Sequence, residues 1–251
     1  MGDATSQGRN TAAVVVGGAS GIGAAVAAAQ RAAGTPVVTW DAADGSDVTC
    51  DITDPAAIDT ALAETIERVG VPGTLTITAG VGHAGLLLEV SAEEWDRVMQ
   101  VNARGPWLVM RAVAAAMVDS RAGGSIVATS SISAHVADRT MGAYCASKAA
   151  LDMVVRVAAQ EWAPNGIRVN AVGPGVTATP MLGGAPLDRG WLAAVADRTP
   201  LGSIGTAEAV ADAVLALHGL DWVTGQCLDC DGGLGLHSPI DSFGFHTGSA
   251  H

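Results

Sequence analysis

Residues 12 to 33 read AAVVVGGASGIGAAVAAAQRAA: an uninterrupted β-branched run, a turn with glycines at 17, 18, 21 and 23, and an alanine-rich stretch. A run that is apolar at consecutive rather than alternate positions suits a strand buried on both faces, which is the situation of a parallel sheet. A parallel strand needs a crossover to reach its neighbour, and the alanine-rich stretch supplies one as a helix. The pattern then repeats. Strands are predicted at 36–40 (PVVTW), 74–79 (TLTITA), 125–130 (SIVATS), 167–172 (IRVNAV) and 226–230 (QCLDC), with a shorter one at 47–50. Helical stretches fit between them, so the fold class is α/β: a doubly wound parallel sheet of about seven strands with helices on both faces.

Two helix starts are readable from their caps. Asp54 precedes Pro55 as an N-cap with proline at the first helical position, and Ser91 with Glu94 offers a capping box. A third helix is marked by Leu151, Val154, Val155, Ala158 and Trp162 at three- and four-residue steps, ended by Pro164-Asn165-Gly166. No repeat or linker interrupts the pattern. One domain over 1–251 is expected, with a core at about 10–235 and a tail at 236–251 that holds both phenylalanines, Phe243 and Phe245. A disordered tail has little use for aromatics, so docking on an apolar surface is expected of it.

The formal charge of −12, with 13 dispersed basic residues, argues against a nucleic-acid partner. Residues 1–11 lack the apolar core of a signal peptide, and no apolar run reaches membrane-spanning length, so a cytoplasmic protein without a membrane partner is expected. The four cysteines read as free thiols. Cys227 and Cys230 form a CxxC, but inside a strand residues three apart face opposite sides, so no metal site is assigned to them.

The glycine turn carries chemistry. Gly17, Gly21 and Gly23 permit a tight turn and close backbone approach, and with Ser20 and Ile22 they open a helix whose N-terminus can hold a pyrophosphate. Asp41 ends the second strand, 18 residues beyond Gly23. There a carboxylate can bond the ribose hydroxyls of NAD and repel the additional phosphate of NADP. No Arg or Lys stands in the turn or closely follows Asp41, and the expected cofactor is NAD on a Rossmann-type domain.

Tyr144 and Lys148 are the only tyrosine and the only lysine in the chain, and their spacing of four puts them on one helix face. A tyrosine with a pKa of roughly 10 is a poor base at neutral pH, and a nearby ammonium is expected to lower it. With GGASGIG, CDIT, TAG at 78–80, VNARG, ATSSIS, YCASK, VGPGVTATP and TGQ…DGG in this order, the chain resembles the short-chain dehydrogenase/reductase family over about residues 10–235. The resemblance implies hydride transfer between nicotinamide and a secondary alcohol or ketone, with Tyr144 as acid/base and Lys148 holding the nicotinamide ribose. It also implies that Ser131, with Ser130 as the fallback, bonds the substrate oxygen, and that Asn102 positions a relaying water. By the same resemblance Asp51 and Ile52 meet the adenine, Ala79 and Gly80 line the ribose, and Pro174, Gly175, Val176 and Thr179 border the carboxamide. A homotetramer built on helices near 102–120 and 144–162 is implied too.

The chain departs from the family in three places. Val16 replaces the usual Thr before the first glycine, and Ile77-Thr78 replaces Asn-Asn, which predicts loss of the side-chain bonds that brace the sheet beside the cofactor. Only nine residues separate Asp41 from Asp51, too few for the usual helix, as in some hydroxysteroid and 2,3-dihydro-2,3-dihydroxybenzoate dehydrogenases. For the substrate, Met181, Leu182, Leu187, Trp191 and Leu192 form an apolar lid segment suited to a ring-bearing or apolar molecule, and His135 and Arg139 could engage a carboxylate or diol. Three alternatives stand beside a general alcohol dehydrogenase. They are a dihydrodiol dehydrogenase, a 3-oxoacyl carrier-protein reductase, against which Asp41 and the acidity speak, and a dinucleotide-binding regulator without turnover.

Overall fold

The computed structural model describes residues 12–183 and 189–236. Seven parallel strands form the sheet: β1 (Ala13–Val16), β2 (Val37–Asp41), β3 (Val48–Thr49), β4 (Thr74–Ile77), β5 (Gly124–Thr129), β6 (Ile167–Pro174) and, last in the chain, β9 (Cys227–Cys230). Their order is β3-β2-β1-β4-β5-β6-β9. The winding reverses between β1 and β4, and this switch point opens a crevice beyond the strands' carboxyl ends, where ligands of such sheets bind. A two-stranded pair that the sequence did not suggest, β7 (Thr177–Ala178) with β8 (Gly205–Thr206), ties down the chain between β6 and β9.

Consecutive apolar residues serve opposite faces, as the β-branched runs imply. Val14 and Val16 join one core with Trp40, Leu75, Met110 and Leu151, under α2 (Pro55–Val69), α4 (Gly105–Ser120) and α5 (Gly142–Trp162). Val15 joins the other with Val127, Val172 and Val214, under α1 (Gly21–Ala32) and α8 (Ala207–Gly219). Cys227 packs with the first core and Cys230 with the second, so the CxxC straddles the sheet. All four cysteines are free thiols.

Asp54 caps α2 by accepting from Ala56 N at 2.9 Å. Ser91 caps α3 (Ala92–Met99) by accepting from Glu94 N at 3.2 Å. The reciprocal half of that capping box is replaced, because the Glu94 carboxylate turns to Arg97, at 2.6 and 2.8 Å. Between α3 and α4 the helix widens into a π turn, Gln100–Arg104. Such turns concentrate at functional sites, and this one carries Asn102. The short lid helices are α6 (Pro180–Gly183) and α7 (Arg189–Arg198). The tail with Phe243 and Phe245, and Leu187 of the lid, lie outside the described residues.

The β2–β3 connection lacks a helix, as its length requires. The chain doubles back so that Asp47 lies beside Thr39, accepting from its N and its Oγ1, both at 2.8 Å, while Thr39 Oγ1 accepts from Asp47 N at 3.0 Å. From that anchor β3 starts parallel to β2.

Candidate active site

The glycine turn sits where β1 nearly touches the end of β4. A Cβ on Gly17, whose φ is +81°, would lie 2.5 Å from Ala79 N, and one on Gly23 would lie 2.1 Å from Gly17 O. Neither position tolerates a side chain. The expected loss of bracing here is overturned, because Thr78 Oγ1 donates to Val16 O at 3.0 Å and to Gly17 O at 3.1 Å. The hydroxyl that replaces an asparagine side chain ties the turn to the sheet by itself.

The start of α1 fits an anionic group. Ser20 is its N-cap, yet its side chain makes no capping bond and no acidic residue occupies the first turn. Unpaired amides and the helix dipole therefore face the crevice. Asp41 sits beside them, its Oδ2 accepting from Ala19 N at 3.1 Å and its Oδ1 from Ala43 N at 3.0 Å. Thr179 arches over from the far side, its side chain 3.4 Å from a Cβ placed on Gly21. Gly175 packs against Asp231 and donates to Cys230 O at 3.2 Å, while Val176 O accepts from Gly205 N at 2.9 Å. Of this segment, Thr179 is the residue that lies against the turn, while Gly175 and Val176 are tied to the end of β9 and to β8. Asp51 is exposed and folds its own loop, accepting from Thr53 N and Oγ1 at 2.8 Å each. Ile52 is buried and packs on the start of α4 at Gly105.

The four residues expected to be catalytic converge. Tyr144 and Lys148 share α5, with the ammonium 5.7 Å from the centre of the phenol ring. Ser131 hydrogen-bonds the Tyr144 phenol. Ser130, the alternative, is buried with its hydroxyl unpartnered among the described residues. Lys148 is buried and donates to Thr129 O at 2.8 Å. A Cβ on Gly80 would lie 3.2 Å from Asn102 Oδ1 and 3.6 Å from Lys148 Nζ, which places all three around one point.

Asn102 is fully buried, and its side chain is committed. Its Oδ1 accepts from Val81 N and its Nδ2 donates to Val81 O, both at 2.8 Å, and Nδ2 also donates to Ser147 Oγ at 3.1 Å. Ser147 in turn donates to Tyr144 O at 2.7 Å. The residue therefore locks the chain after β4 to the first turn of α5, a link the sequence did not reveal.

The electrostatics correct one expectation. Burial pushes the Tyr144 phenol above its usual range, against the lowering effect of the Ser131 hydrogen bond, with Cys145 and Asp138 adding to the rise. Lys148 does not reverse this. Its own burial brings it down to about 8, and Asp152, one helical turn later, opposes the fall. The cofactor-free pair is a protonated phenol beside an easily discharged amine.

Of the residues expected to meet substrate, Arg139, Met181 and Trp191 are exposed, the last two by 50% and 40%. His135 is turned instead toward the last strand, its Nε2 3.1 Å from Asp229 Oδ2. Asp229 was not foreseen. Burial raises its carboxyl, His135 opposes the rise, and Asp231 and Asp152 add to it.

A family model described as enoyl-(acyl carrier protein) reductase matches residues 17–235, the whole span from glycine turn to DGG segment. The chain belongs to the short-chain dehydrogenase/reductase family. As a short-chain dehydrogenase/reductase it is 34% identical to the cis-4-hydroxycyclohexanecarboxylate dehydrogenase of Sinomonas cyclohexanicum, over 93% of this chain and 98% of that protein. It is 33% identical to the 2-(S)-hydroxypropyl-CoM dehydrogenase 3 of Xanthobacter autotrophicus, over 90% and 97%. Among solved structures, a short-chain dehydrogenase/reductase from Mycobacterium marinum superposes with a TM-score of 0.84 at 30% identity, covering 89% of this chain and 95% of that one. The first two relatives are named as dehydrogenases of hydroxyl-bearing compounds, and the family works with a nicotinamide cofactor.

Proposed function

We propose that the protein is an NAD(H)-dependent oxidoreductase that interconverts a secondary alcohol and its ketone, with Tyr144 as general acid/base. The observation that carries this reading is the meeting of Ser131, Tyr144, Lys148 and Asn102 beside the glycine turn. Bound nicotinamide supplies the hydride acceptor in oxidation and the donor in reduction. As a phenolate Tyr144 receives the hydroxyl proton as the alcohol loses hydride, and as the phenol it gives a proton to the ketone oxygen in reduction. Ser131 bonds that same oxygen and holds it toward the phenol. Lys148 holds the nicotinamide ribose, and the amides at the start of α1 bind the pyrophosphate. Asn102 positions the relay that returns protons past Lys148 by fixing Val81 and Ser147.

Asp41 supports NAD over NADP, since its carboxylate already lies against the turn and no Arg or Lys stands in the turn or closely follows Asp41 in the sequence. Exposed Met181 and Trp191, and the name of the cyclohexane relative, support a ring-bearing or apolar substrate. Among the described residues no helix is long and apolar enough to cross a membrane, which is compatible with a cytoplasmic enzyme. Trp107 on α4 and Met153 and Val157 on α5 are exposed apolar residues that a homotetramer would cover.

The test is cofactor reduction over a panel of secondary and cyclic alcohols, on a preparation expected to sediment as a tetramer. Turnover with NAD exceeds that with NADP by at least roughly tenfold. Tyr144→Phe lowers it by roughly 10²- to 10⁴-fold while NAD still binds. Full activity in Tyr144→Phe, or a preference for NADP, would overturn the assignment.

A further inference from the structure

Asp229 stands between the two cysteines of the CxxC, on the sheet face that looks toward α5. In the β6–β9 register it is paired with Gly173. Its Oδ1 lies only 2.6 Å from where a Cβ on Gly173 would stand, and the carbonyl carbon of Ser131 is 3.5 Å from that same point. The missing side chain at 173 therefore opens the space in which a carboxylate from the last strand reaches the back of the Ser131 turn. Asp229 uses that reach on His135, at 3.1 Å.

His135 ends the turn that Ser131 begins. The turn is a single 3₁₀ segment, Ile132–Ala134. It is held by Ala134 N donating to Ser131 O at 3.0 Å, His135 N donating to Ile132 O at 3.1 Å, and Ser133 N donating to Ser131 Oγ at 3.1 Å. So short a helix has little stability of its own. At one end Ser131 faces Tyr144, and beyond the other Ser133 Oγ donates to Asp138 at 2.6 Å. The His135–Asp229 pair fastens this turn to the sheet's last strand.

We propose that Asp229 is a positioning residue for the reaction, acting through His135 to hold the turn that presents Ser131 to the substrate oxygen. This rests on the oxidoreductase reading. The pair is half-exposed, with side-chain accessibilities of 50% and 40%, so its contribution to global stability is small. Its effect falls on alignment, and misplacement of a reacting group by a fraction of an ångström is felt in the rate.

The experiment compares Asp229→Asn, His135→Gln and the double variant in steady-state kinetics and in hydrogen exchange of the cofactor-free protein. Each single variant lowers kcat by roughly tenfold, and KM for alcohol and for NAD changes by less than about twofold. The double variant is no worse than either single one, because both remove one contact. The amides at positions 134, 135 and 136 exchange faster in all three variants. Unchanged kcat, losses that multiply in the double variant, or a rise confined to the alcohol KM would overturn the proposal, the last by making the pair a substrate contact. The exchange readout does not need turnover. Faster exchange in a chain whose native form oxidises no alcohol would sink the oxidoreductase reading and keep the link between Asp229 and the turn, whereas unchanged exchange would sink the link.

Discussion

Tyr144 and Lys148 were legible because the chain uses each residue type once and at helical spacing. Their charge states were not, because a pKa depends on burial, and burial of one helix turn is a property of everything packed on it. Lys148 illustrates the point: the same helix that brings it to Tyr144 takes it out of water, and Asp152 is the carboxylate that keeps the ammonium from discharging further. Asp152 is itself buried, with Oδ1 unpartnered among the described residues. Because the chain has a single lysine, a ¹⁵N-lysine label gives one side-chain amine to follow. Its titration is expected at about 8 in the cofactor-free protein. In Asp152→Asn it moves to lower pH, and a midpoint that stayed put would show that Asp152 does not feel the ammonium. Asp229 and Thr78 escaped the sequence reading for a related reason. An aspartate in a strand and a threonine at a strand end are ordinary residues, and only the register opposite Gly173, or the approach of Gly17, gives them partners.

Elements were readable wherever their ends carry their own chemistry. The Asp54-Pro55 start of α2 and the Gly166 stop after α5 lie where local rules put them, and Gly166 has a φ of +72°. The π turn at Gln100–Arg104 and the β7–β8 pair were not, since a widened helical turn and two-residue strands leave no period to detect. The β2–β3 connection lies between these cases: its length excluded a helix, but nothing in DAADGSD announces how two parallel strands can follow so closely. Asp47 answers that by closing on Thr39, with Arg31 Nη2 donating to the same carboxylate oxygen at 2.7 Å. Burial pushes the Asp47 carboxyl up, yet the Thr39 bonds and the charges of Arg31 and Arg68 hold it below the usual range. Asp47→Ala leaves Thr39 N and Oγ1 without that acceptor and is expected to cost about 1–2 kcal/mol in urea unfolding. Thr39→Val, which removes the hydroxyl half of the clip, costs less. Equal or negligible losses in both would mean that the loop holds itself without Asp47.

At the scale of the whole molecule, the three layers are bound by more than their apolar faces. The α8 layer reaches into the sheet with His218, whose Nε2 is 2.9 Å from Thr76 Oγ1 on β4 and whose Nδ1 is 3.0 Å from Ser125 Oγ on β5. Arg168 on β6 adds to this by donating to Leu217 O and His218 O at 3.1 and 2.7 Å. The same closure makes the imidazole hard to protonate: burial first, and then the Arg168 charge, bring its pKa down from 6.5 to about 3. The unfolded chain thus takes up a proton near pH 6.5, while the folded chain does not until about 3. Stability rises with pH wherever the unfolded state binds more protons. The contribution of a neutral His218 is therefore complete above pH 6.5 and drains away as the pH falls from there toward 3. Glutamine at 218 keeps a polar group in reach of the hydroxyls and does not titrate. The stability gap between the native chain and His218→Gln is expected to be constant from about pH 7 to 8 and to shift against histidine by about 1–2 kcal/mol near pH 5. Urea unfolding at a series of pH values measures it. A gap that stayed level down to pH 5 would mean that the imidazole keeps an ordinary pKa in the fold, and that the hydroxyls of β4 and β5 hold it equally well charged or neutral.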